Sequence, residues 1–529
     1  MLELTDLCFC YGAETGSTGG ALAHISLTVA PGQCVLLCGP SGSGKSTVLK
    51  AVNGLVPELS PGILSGRVEI DGMDLSSLPL YKRSQLVASV FQNPKSQFFN
   101  TDVESEIVYA LENQGMSLDK IEARLERVIA ELNLEAFRGK SMFALSGGQK
   151  QLVAFASACV TDAPVAVLDE PSANLDVRAS GHIAEAIAQM KSRGKAVLIA
   201  EHRIGYLRGL VNEAYVMDGG RVFEHFTGDE LFSLADERRR LLGLRSVEPE
   251  QDFMASLQGA GGSHLMREGE DSLPVSSEVA SKGDRLKAER IVRTVRLSRE
   301  RPPQARSSRD SATACRAVMG QPFTAKPFAR LSVRGLTIAH KGRVVAQDIS
   351  FDLVAGDIAA LVGENGVGKT TLLRALAGLF KPKAGTISVD GEALSEKRRR
   401  KQFGMVMQDT NHQLFSDSVL GECLLGNPHV STDEAKSLVA SVGLSGLEDR
   451  HPASLSGGQK QRLALAVACA SGKRLFLLDE PTSGLDLHSM MAVRDVLANL
   501  AASGIPVIVA THDREFMDAV CTRALVLSA

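Results

Sequence analysis

The sequence lacks any long apolar run. Its longer apolar stretches, such as Lys195–Ala200, have the length of a strand, whereas a membrane-spanning helix needs about 20 consecutive apolar residues. It also lacks an excess of one charge, because the formal net charge is −3 over 529 residues, and this balance does not indicate nucleic-acid binding. A strand-like pattern begins at Leu2, so we expect no signal peptide, and the short apolar runs predict no spanning segment.

A framework of paired cysteines is missing as well. The nine cysteines are an odd number and lie scattered among apolar residues, which is typical of free thiols in a reducing cytosol. The spacings of Cys8 with Cys10 and of Cys34 with Cys38 place each pair on one face of a strand. No cluster of His or Cys stands nearby in the sequence, so we interpret both pairs as strand residues and not as metal ligands.

A glycine-rich motif is present twice. Both copies fit G-x-x-x-x-G-K-[ST], between a strand-like and a helix-like run. In such a loop, backbone N–H groups and the helix N-terminus bind phosphate oxygens. The lysine reaches the terminal phosphates, and the hydroxyl of Ser46 or Thr370 coordinates Mg²⁺. The predicted phosphate-binding residues are Gly39, Pro40, Ser41, Gly42, Ser43, Gly44, Lys45, Ser46 and Thr47, and Gly363, Glu364, Asn365, Gly366, Val367, Gly368, Lys369, Thr370 and Thr371.

The rest of the sequence repeats in the same order. Leu145-Ser-Gly-Gly-Gln149 returns as Leu455-Ser-Gly-Gly-Gln459, and an apolar-Asp-Glu-Pro segment and a histidine return at the same offset. We therefore predict two homologous domains, 1–235 and 330–529. Residues 236–329 are rich in Gly, Pro, Ser and Arg with few aromatics, which predicts a flexible linker. Its basic part, 284–301, could instead form a surface helix that touches anionic lipid or a partner.

Each domain alternates strand-like and helix-like segments, which predicts an α/β fold with a mostly parallel sheet wrapped by helices. Val165–Leu168 is continuously apolar, as expected of a strand covered on both faces. Asp169 and Glu170 follow it, at the end where such sheets place ligands. We predict that Asp169 binds Mg²⁺ and that Glu170 polarises an attacking water. Asp479 and Glu480 repeat both roles.

The order of these motifs resembles that of ABC-type ATPases. Each copy runs from the glycine-rich loop through a lone glutamine (Gln92, Gln408), LSGGQ and Asp-Glu-Pro to a histidine (His202, His512). The resemblance implies two P-loop domains with additional antiparallel strands and a helical LSGGQ subdomain, using ATP and Mg²⁺. It also implies that the glutamines contact Mg²⁺, and that both the glutamines and the histidines act in catalysis with Glu170 and Glu480.

The resemblance further implies that the two domains pair head to tail, either within one chain, which a flexible linker would make easy, or between two chains. The first pocket would combine Lys45, Ser46, Gln92, Glu170 and His202 with Ser456, Gly457, Gly458 and Gln459. The second would combine Lys369, Thr370, Gln408, Glu480 and His512 with Ser146, Gly147, Gly148 and Gln149. Nucleotide would then close two incomplete phosphate sites, and hydrolysis would loosen them.

The sequence departs from the family pattern at a few positions. Tyr11 stands where the family has an aromatic that stacks on adenine, whereas the second copy has His340 there. Asn174 stands opposite Gly484, and Leu152 opposite Arg462. No catalytic group is replaced, so we expect both sites to hydrolyse ATP.

The segment after each glutamine resembles that of energy-coupling factor (ECF) transporters. Gln92–Phe99 has the form Q-x-x-x-x-Q-[FL]-F, and Gln408–Phe415 repeats it. The resemblance implies import of a vitamin, a vitamin precursor or a transition-metal ion such as cobalt or nickel. It implies an integral membrane scaffold subunit and a separate substrate-binding membrane protein as partners, and a peripheral position on the cytoplasmic face of the membrane.

Two other interpretations stay open. One is a tandem ABC importer for sugars or peptides. The other is a soluble two-domain translation factor that enters the ribosome, which would require a nucleic-acid partner that we do not expect. That factor needs two long charged helices in the linker and a basic character overall. The linker of this chain is interrupted by Gly and Pro, and the net charge of the whole chain, −3, is slightly acidic.

Overall fold

A computed structural model describes residues 1–12, 21–92, 94–173, 175–248, 292–296, 328–340 and 343–527 of the chain. It divides into two compact units, Met1–Asp252 with Gly484–His488, and Phe253–Ser483 with Ser489–Ala529. Each unit contains one six-stranded and one four-stranded sheet among its described residues. The predicted α/β class with two P-loop domains is confirmed.

The first unit begins with strands, and three of its nine described helices lie between its sixth and seventh strands. Its strands are β1 (Leu2–Tyr11), β2 (Leu22–Val29), β3 (Cys34–Cys38), β4 (Gly62–Ile70), β5 (Met73–Asp74), β6 (Val87–Val90), β7 (Val165–Asp169), β8 (Ala196–Ala200), β9 (Glu213–Asp218) and β10 (Arg221–Thr227). Its helices are α1 (Lys45–Val52), α2 (Leu55–Glu58), α3 (Leu80–Leu86), α4 (Val103–Asn113), α5 (Leu118–Glu131), α6 (Gly147–Cys159), α7 (Val177–Ser192), α8 (Gly228–Phe232) and α9 (Asp236–Leu241).

The larger sheet of the first unit positions the predicted site. Its strand order is β10-β9-β3-β8-β7-β6, and all neighbours pair in parallel except β10 with β9. Every residue of β3 and β8 is buried, since helices and the smaller sheet cover both faces. The carboxyl ends of these parallel strands lie at one edge, where open sheets bind ligands.

The smaller sheet of the first unit is antiparallel, in the order β2-β1-β4-β5. Alternate residues of β1, including Leu2, Leu4 and Phe9, are buried, as expected of a strand with one face on the core. They pack in one apolar cluster with α1 and with one face of the larger sheet. Burying this apolar surface supplies the main stabilising free energy of that layer.

The second unit repeats this plan. Its strands are β11 (Val292–Arg296), β12 (Arg330–His340), β13 (Arg343–Val354), β14 (Ile358–Val362), β15 (Ala384–Val389), β16 (Glu392–Ala393), β17 (Phe403–Val406), β18 (Leu475–Asp479), β19 (Val507–Ala510) and β20 (Arg523–Leu527). Its helices are α10 (Lys369–Leu376), α11 (Glu396–Gln402), α12 (Val419–Leu424), α13 (Thr432–Ser441), α14 (Gly457–Ala470), α15 (Leu487–Ala502) and α16 (Arg514–Val520).

Two sheets organise the second unit as well. The larger has the order β11-β20-β14-β19-β18-β17, and the smaller has the order β13-β12-β15-β16. The larger sheet is parallel except for its edge strand β11, which pairs antiparallel with β20. The smaller sheet is antiparallel throughout.

The structure assigns parts of the predicted linker to the two units. After α9, the side chains of Leu242, Leu244 and Val247 are buried in the core of the first unit, so this unit continues past residue 235. Five residues of the basic stretch 284–301 form strand β11 and not a helix. Residues 249–291 and 297–327, the remainder of the predicted linker, lie outside the described residues, as does Asn174.

Among the described residues, no helix combines the length and the apolar character that crossing a bilayer requires. The described cysteines form no disulfide bond with one another. Cys34 and Cys38 are buried in β3, and burial raises the pKa of both thiols to about 12. Cys8 and Cys10 are partly exposed and follow each other on one side of β1. The placement of both pairs on strands is as predicted.

Candidate active site

The first glycine-rich loop connects β3 with α1. Gly39 has φ +124°, and a Cβ on it would lie 2.2 Å from the carbonyl oxygen of Met217, so a side chain at this position would clash with backbone. Gly44, at φ +99°, is the residue directly before helix α1. The glycine-rich loop therefore leads directly into the N-terminus of an eight-residue helix. Backbone N–H groups in such a loop and helix N-terminus bind phosphate.

Lys45 is the first residue of α1 and is buried. Its Nζ donates hydrogen bonds to the carbonyl oxygens of Gly39 and Pro40, at 2.9 and 2.8 Å. The ammonium group thus lies inside the curve of the loop, at the N-terminus of α1. Burial lowers the pKa of Lys45, because desolvation disfavours the charged form.

The second loop, between β14 and α10, has the same construction. A Cβ on Gly363 would lie 2.4 Å from the carbonyl oxygen of Leu527. The Nζ of Lys369 donates to the carbonyl oxygens of Gly363 at 2.7 Å and of Glu364 at 3.3 Å. Both predicted phosphate-binding loops are therefore built at the carboxyl edge of a parallel sheet.

A hydroxyl and a carboxylate meet beside each loop. Ser46 Oγ donates to Asp169 Oδ1 at 2.9 Å, and Thr370 forms the corresponding side-chain hydrogen bond with Asp479. Burial raises the pKa of Asp169 and of Asp479 to about 6. Hydroxyl and carboxylate oxygens are the ligands that Mg²⁺ takes next to phosphates, and a cation would relieve the cost of burying these charges. The residues present therefore fit Mg²⁺.

Glu170 follows β7 in a left-handed backbone conformation, with φ +46°. Its N–H donates to the carbonyl oxygen of Ala200 at 2.8 Å, which fixes the turn. The side chain is buried, and its Oε2 has no hydrogen-bond partner among the described residues. Burial, together with the nearby Asp169 and Glu201, raises the pKa of Glu170 well above its usual value. A buried carboxylate oxygen without a partner is suited to accept a proton from water.

His202 completes the first set. Its Nε2 lies 3.7 Å from Glu170 Oε1. Burial and the charge of Lys45 lower the pKa of His202 to about 3, so the imidazole is neutral at physiological pH. The side chain of Gln92, which follows β6, forms a hydrogen bond with Glu170. The structure thus brings together the glutamine, glutamate and histidine that the sequence predicted.

The second unit contains the matching set. Glu480 has φ +51°, and its N–H donates to the carbonyl oxygen of Ala510 at 2.8 Å. His512 lies closer to its glutamate than His202 does, with Nδ1 3.0 Å from Glu480 Oε1. Gln408 lies just beyond the end of β17, at the position that Gln92 has after β6.

The two SGGQ segments each begin a long helix. Ser146 caps α6: its Oγ accepts from the N–H of Gln149 at 3.3 Å, and Gln149 Oε1 accepts from the N–H of Ser146 at 2.9 Å. Ser456 and Gln459 form the same capping box before α14. The serine acts only as acceptor in this box, so its hydroxyl proton is available to a phosphate oxygen. No atom of the described residues lies within 4 Å of a Cβ built on Gly147 or Gly457, so there is open space beside the first residue of each helix.

Tyr11 ends β1 near the first loop. Its hydroxyl is 3.2 Å from Thr47 Oγ1, and its ring contacts Phe9 edge-on. Its ring is partly exposed, so a flat base could stack on it. His340 ends β12, but its side chain lies outside the described part of the structure.

Sequence reasoning missed a buried carboxylate in each site. In the first unit, Glu201 Oε2 accepts from Ser172 Oγ at 2.8 Å and from Tyr206 OH at 3.1 Å, while its Oε1 accepts from the N–H of His202 at 2.8 Å. It joins the turn after Asp-Glu-Pro to the histidine. A glutamate directly before the predicted histidine, at the end of a buried strand, was the signal in the sequence.

The second unit uses Asp513 in place of Glu201. Asp513 Oδ2 accepts from Thr482 Oγ1 at 2.7 Å, and the N–H of Asp513 donates to Thr511 Oγ1 at 3.1 Å. The carboxylate therefore lies on the opposite side of the histidine in the chain, yet it again joins the histidine segment to the turn.

The second glutamine of each Q-x-x-x-x-Q-[FL]-F segment has a structural partner. Gln97 Oε1 accepts from the N–H of Phe91 at 3.2 Å, and its Nε2 donates to the carbonyl oxygen of Ser89 at 3.1 Å. Gln413 makes the same pair of bonds to Met407 and Met405, at 2.7 and 2.9 Å. These side chains secure the end of the edge strand that leads to Gln92 and Gln408.

A phosphate loop, a hydroxyl–carboxylate pair, a glutamate and a histidine recur in both units, and together they define a tandem P-loop nucleoside triphosphatase. A family model described as ABC transporter matches residues 22–173 and 346–483, which is more than half of the chain. The chain belongs to the ABC transporter family of ATP-binding proteins. It is an ATPase, and it uses ATP with Mg²⁺.

Full-length relatives share this organisation. A putative ABC transporter ATP-binding protein of Treponema denticola is 38% identical over 528 residues, which cover 100% of this chain and 95% of the relative. The putative HMP/thiamine import ATP-binding protein YkoD of Bacillus subtilis (strain 168) is 30% identical over 536 residues, which cover 100% of this chain and 90% of the relative.

A solved structure shows the same fold. In the crystal structure of the archaeal ribosomal stalk protein aP1 with the archaeal ribosome recycling factor aABCE1, one chain matches with a TM-score of 0.55 and 21% identity, over 98% of this chain and 87% of that chain. At this identity the similarity concerns the fold alone.

Proposed function

We propose that this chain is the ATP-hydrolysing subunit of an ECF-type importer for a vitamin, a vitamin precursor or a transition-metal ion. It would act as a peripheral subunit on the cytoplasmic face of the cell membrane. Its partners would be an integral membrane scaffold subunit and a separate substrate-binding membrane protein. The full-length similarity to a protein named for HMP/thiamine import supports this proposal.

An exposed phenylalanine beside each catalytic glutamine carries the proposal. Phe99 and Phe415 follow Gln92 and Gln408 at the same spacing, and their side chains are 74% and 75% exposed. Large apolar side chains that are exposed to solvent at corresponding positions of two homologous units are typical of a protein–protein interface. We propose that both contact a membrane subunit while ATP occupies the adjacent site.

Buried carboxylates hold these phenylalanines in place. Glu106 Oε2 accepts from the N–H groups of Phe99 and Asn100, at 2.9 and 2.7 Å. Glu422 accepts from the N–H groups of Phe415 and Ser416 in the same way. Both glutamates lie in the first turn of a helix and are buried. Because these bonds fix the loop backbone, each phenylalanine starts from a defined backbone position, and binding costs little backbone entropy.

In the second unit a cleft lies beside the segment that precedes Phe415. It has a volume of about 230 Å³ and is lined by Met405 of β17, by Gln413 and Leu414, and by Val467 and Ala468 of α14. The mostly apolar lining suits an apolar side chain. We assign the cleft to a cytoplasmic segment of the scaffold subunit, next to Phe415.

Within each site we propose the following roles. Mg²⁺ would be held by Ser46 and Asp169, assisted by Gln92, and by the corresponding Thr370, Gln408 and Asp479, and it would neutralise phosphate charge. Glu170 and Glu480 polarise the attacking water, and the neutral His202 and the His512 imidazole orient it. The lysines of the loops bind the terminal phosphates.

We further propose that the units pair head to tail. The SGGQ serine would donate its hydroxyl proton to the nucleotide bound by the other unit's loop, together with N–H groups of the helix that it caps. Nucleotide would then bring the two units together, and hydrolysis would remove the γ-phosphate contacts that hold them.

Affinity purification from detergent-solubilised native membranes tests the transport proposal. We expect integral membrane proteins to co-purify with the chain, and substitution of Phe99→Asp with Phe415→Asp to abolish this while ATPase activity remains. Phe223→Asp is the matched control, because Phe223 is 63% exposed on β10 and far in sequence from the glutamines. Co-purification of ribosomal RNA in place of membrane proteins would overturn the proposal in favour of the translation factor.

A further inference from the structure

Three metal-ligating side chains meet on the outer face of the smaller sheet of the first unit. Asp6 and Cys8 come from β1 and His24 comes from β2, and one potential ligand atom of each lies within 4.8 Å of the others. Sequence reasoning missed this group because the histidine comes from the neighbouring strand. The group lies on a different sheet from the phosphate loop and has no role in the ATPase chemistry described above.

The strand pairing explains how the three side chains meet. Leu7 pairs with Ile25, and both are buried, so the residues on either side of them point outward. His24 Nδ1 lies 2.7 Å from Asp6 Oδ1, and the N–H of His24 donates to Cys8 Sγ at 3.2 Å. The side chains of His24 and Asp6 are 71% and 66% exposed. They are therefore free of the packing that would prevent the short movement needed to bind one metal ion together.

The second unit shows that the sheet itself does not need this set. Its corresponding positions carry Gly335, Thr337 and Asp348. The backbone nevertheless has the same irregularity, because Gly335 and Asp348 have φ +57° and +51°, and Asp6 and His24 have +51° and +56°. The same hydrogen bond also recurs: Ser26 Oγ accepts from the N–H of Asp6, and Ser350 Oγ accepts from the N–H of Gly335. The bulge forms without a thiol or an imidazole.

We propose that Asp6, Cys8 and His24 form a binding site for a divalent transition-metal ion of the Zn²⁺ type. Thiolate, imidazole and carboxylate are the ligands of this ion, at about 2.0 to 2.3 Å, and a tetrahedral site with three protein ligands leaves one position for water. Thiolate and imidazole select Zn²⁺ and similar ions over Mg²⁺, which prefers oxygen ligands. Binding releases the thiol proton of Cys8 to solvent.

Titration with Co²⁺ tests the site, because a thiolate bound to Co²⁺ gives an intense charge-transfer band in the near ultraviolet. The parent protein for these tests carries Cys10→Ser, because Cys10 is also partly exposed, and Cys315→Ser, because Cys315 lies outside the described residues. It is treated with EDTA before use. Cys8 is then the one partly exposed thiol among the described cysteines, since the others are buried. We expect one Co²⁺ per chain with this band, and its displacement by Zn²⁺. Binding at the ATP site would give no such band, because its ligands are oxygens.

Variants at each ligand identify the site. Cys8→Ser should remove the band, and His24→Asn should raise the Kd at least about tenfold, the lower end of what loss of even an indirect partner costs. Asparagine tolerates the left-handed backbone of His24, so folding is preserved. Thr337→Ala in the second unit is the matched control and should bind as the parent does. A band that persists in Cys8→Ser, or an unchanged Kd in His24→Asn, would overturn the proposal.

A second measurement is independent of colour. Zn²⁺ should slow the alkylation of Cys8 by a maleimide in the parent at least about tenfold, because a metal-bound thiolate is a poorer nucleophile than a free one. His24→Asn should lose this protection. Equal alkylation rates with and without Zn²⁺ would mean that the three side chains form only a surface ion pair with a neighbouring thiol.

Discussion

The two units surround their catalytic histidines differently. The first has Glu201-His202-Arg203, and the second has Thr511-His512-Asp513. Each nevertheless contains one buried carboxylate that accepts a hydrogen bond from the hydroxyl after Asp-Glu-Pro, Ser172 in the first unit and Thr482 in the second. Both sites therefore contain a hydrogen bond between this hydroxyl and a carboxylate, but the carboxylate comes from Glu201 in the first unit and from Asp513 in the second.

This exchange changes the immediate surroundings of the catalytic glutamates. In the first unit the carboxylate of Glu201 contributes to raising the pKa of Glu170, because a nearby like charge disfavours ionisation. In the second unit, His512 Nδ1 bonds directly to Glu480 at 3.0 Å, whereas His202 Nε2 is 3.7 Å from Glu170. The two sites thus have the same functional groups but different contacts around the catalytic glutamate.

Removing the catalytic carboxylates gives the largest expected effect. Glu170→Gln with Glu480→Gln should lower the ATPase rate by about 10² or more, because an amide cannot take the proton of water. ATP binding, measured with a fluorescent analogue, should be retained. Hydrolysis at the normal rate in the double variant would show that these residues are not the water-activating groups.

The single variants compare the two sites directly. Since each unit has a complete set of catalytic groups, Glu170→Gln and Glu480→Gln should each retain at most about half of the phosphate release rate, which is the share of the unaltered site. If one variant abolishes release and the other has no effect, the difference around the histidines divides the units into one active and one inactive site.

Exchanging the carboxylate position is expected to have the next largest effect. Glu201→Thr leaves Ser172 Oγ, Tyr206 OH and the N–H of His202 without their acceptor, which should cost about 3 kcal/mol of stability. Adding Arg203→Asp places a carboxylate where the second unit has one, and it should restore more than half of the lost urea midpoint. A double variant no more stable than Glu201→Thr would show that the two arrangements cannot be interchanged.

The glutamine that secures the edge strand should have a smaller effect, equal in the two units. Gln97→Ala and Gln413→Ala each lose two hydrogen bonds to backbone, which should cost about 1 to 2 kcal/mol, measured as a shift of the thermal midpoint. Gln92→Ala is the control, since it should lower ATPase activity with little change in stability. A large loss of activity at unchanged stability in Gln97→Ala would place that residue in the chemistry instead.

Thiol labelling gives the smallest effect and also separates the units. At pH 7.5 in EDTA, a maleimide should modify Cys8 and Cys10 in the first unit. It should not modify Cys423 and Cys469 in the second, because burial raises the pKa of both thiols to about 12 and almost no thiolate is present. Peptide mass spectrometry reads out the sites. Rapid labelling of Cys469 would show that α14 opens in the native protein.

The sequence was most informative where function lies in a contiguous motif. The glycine-rich loops and the Asp-Glu pairs follow buried strands, so a short window contains both the residue types and their position at the edge of the sheet. The α/β fold followed from the alternation of segments. His202 and Gln92 were predicted from motif order alone, and the structure places both beside Glu170.

Features that join distant segments could not be predicted in this way. Ser172 and Glu201 meet only because β7 and β8 are neighbours, and His24 reaches Cys8 only across a strand pair. The end of the first unit was placed too early because Gly243 and several arginines obscure the apolar Leu242, Leu244 and Val247. The second glutamine of each Q-x-x-x-x-Q segment, Gln97 or Gln413, bonds to the backbone of the edge strand. Its spacing in the sequence does not distinguish this structural role from a functional one.

The edge strands of the two large sheets have a practical consequence for expressing the units separately. In the first unit, β10 follows β9 directly and covers its open side. In the second, β20 is covered by β11, which precedes the rest of the unit in the chain. A recombinant fragment that starts at residue 330 would leave the main-chain donors and acceptors of β20 uncovered, and such an edge recruits other copies into aggregates. A fragment that starts before Val292 keeps this protection.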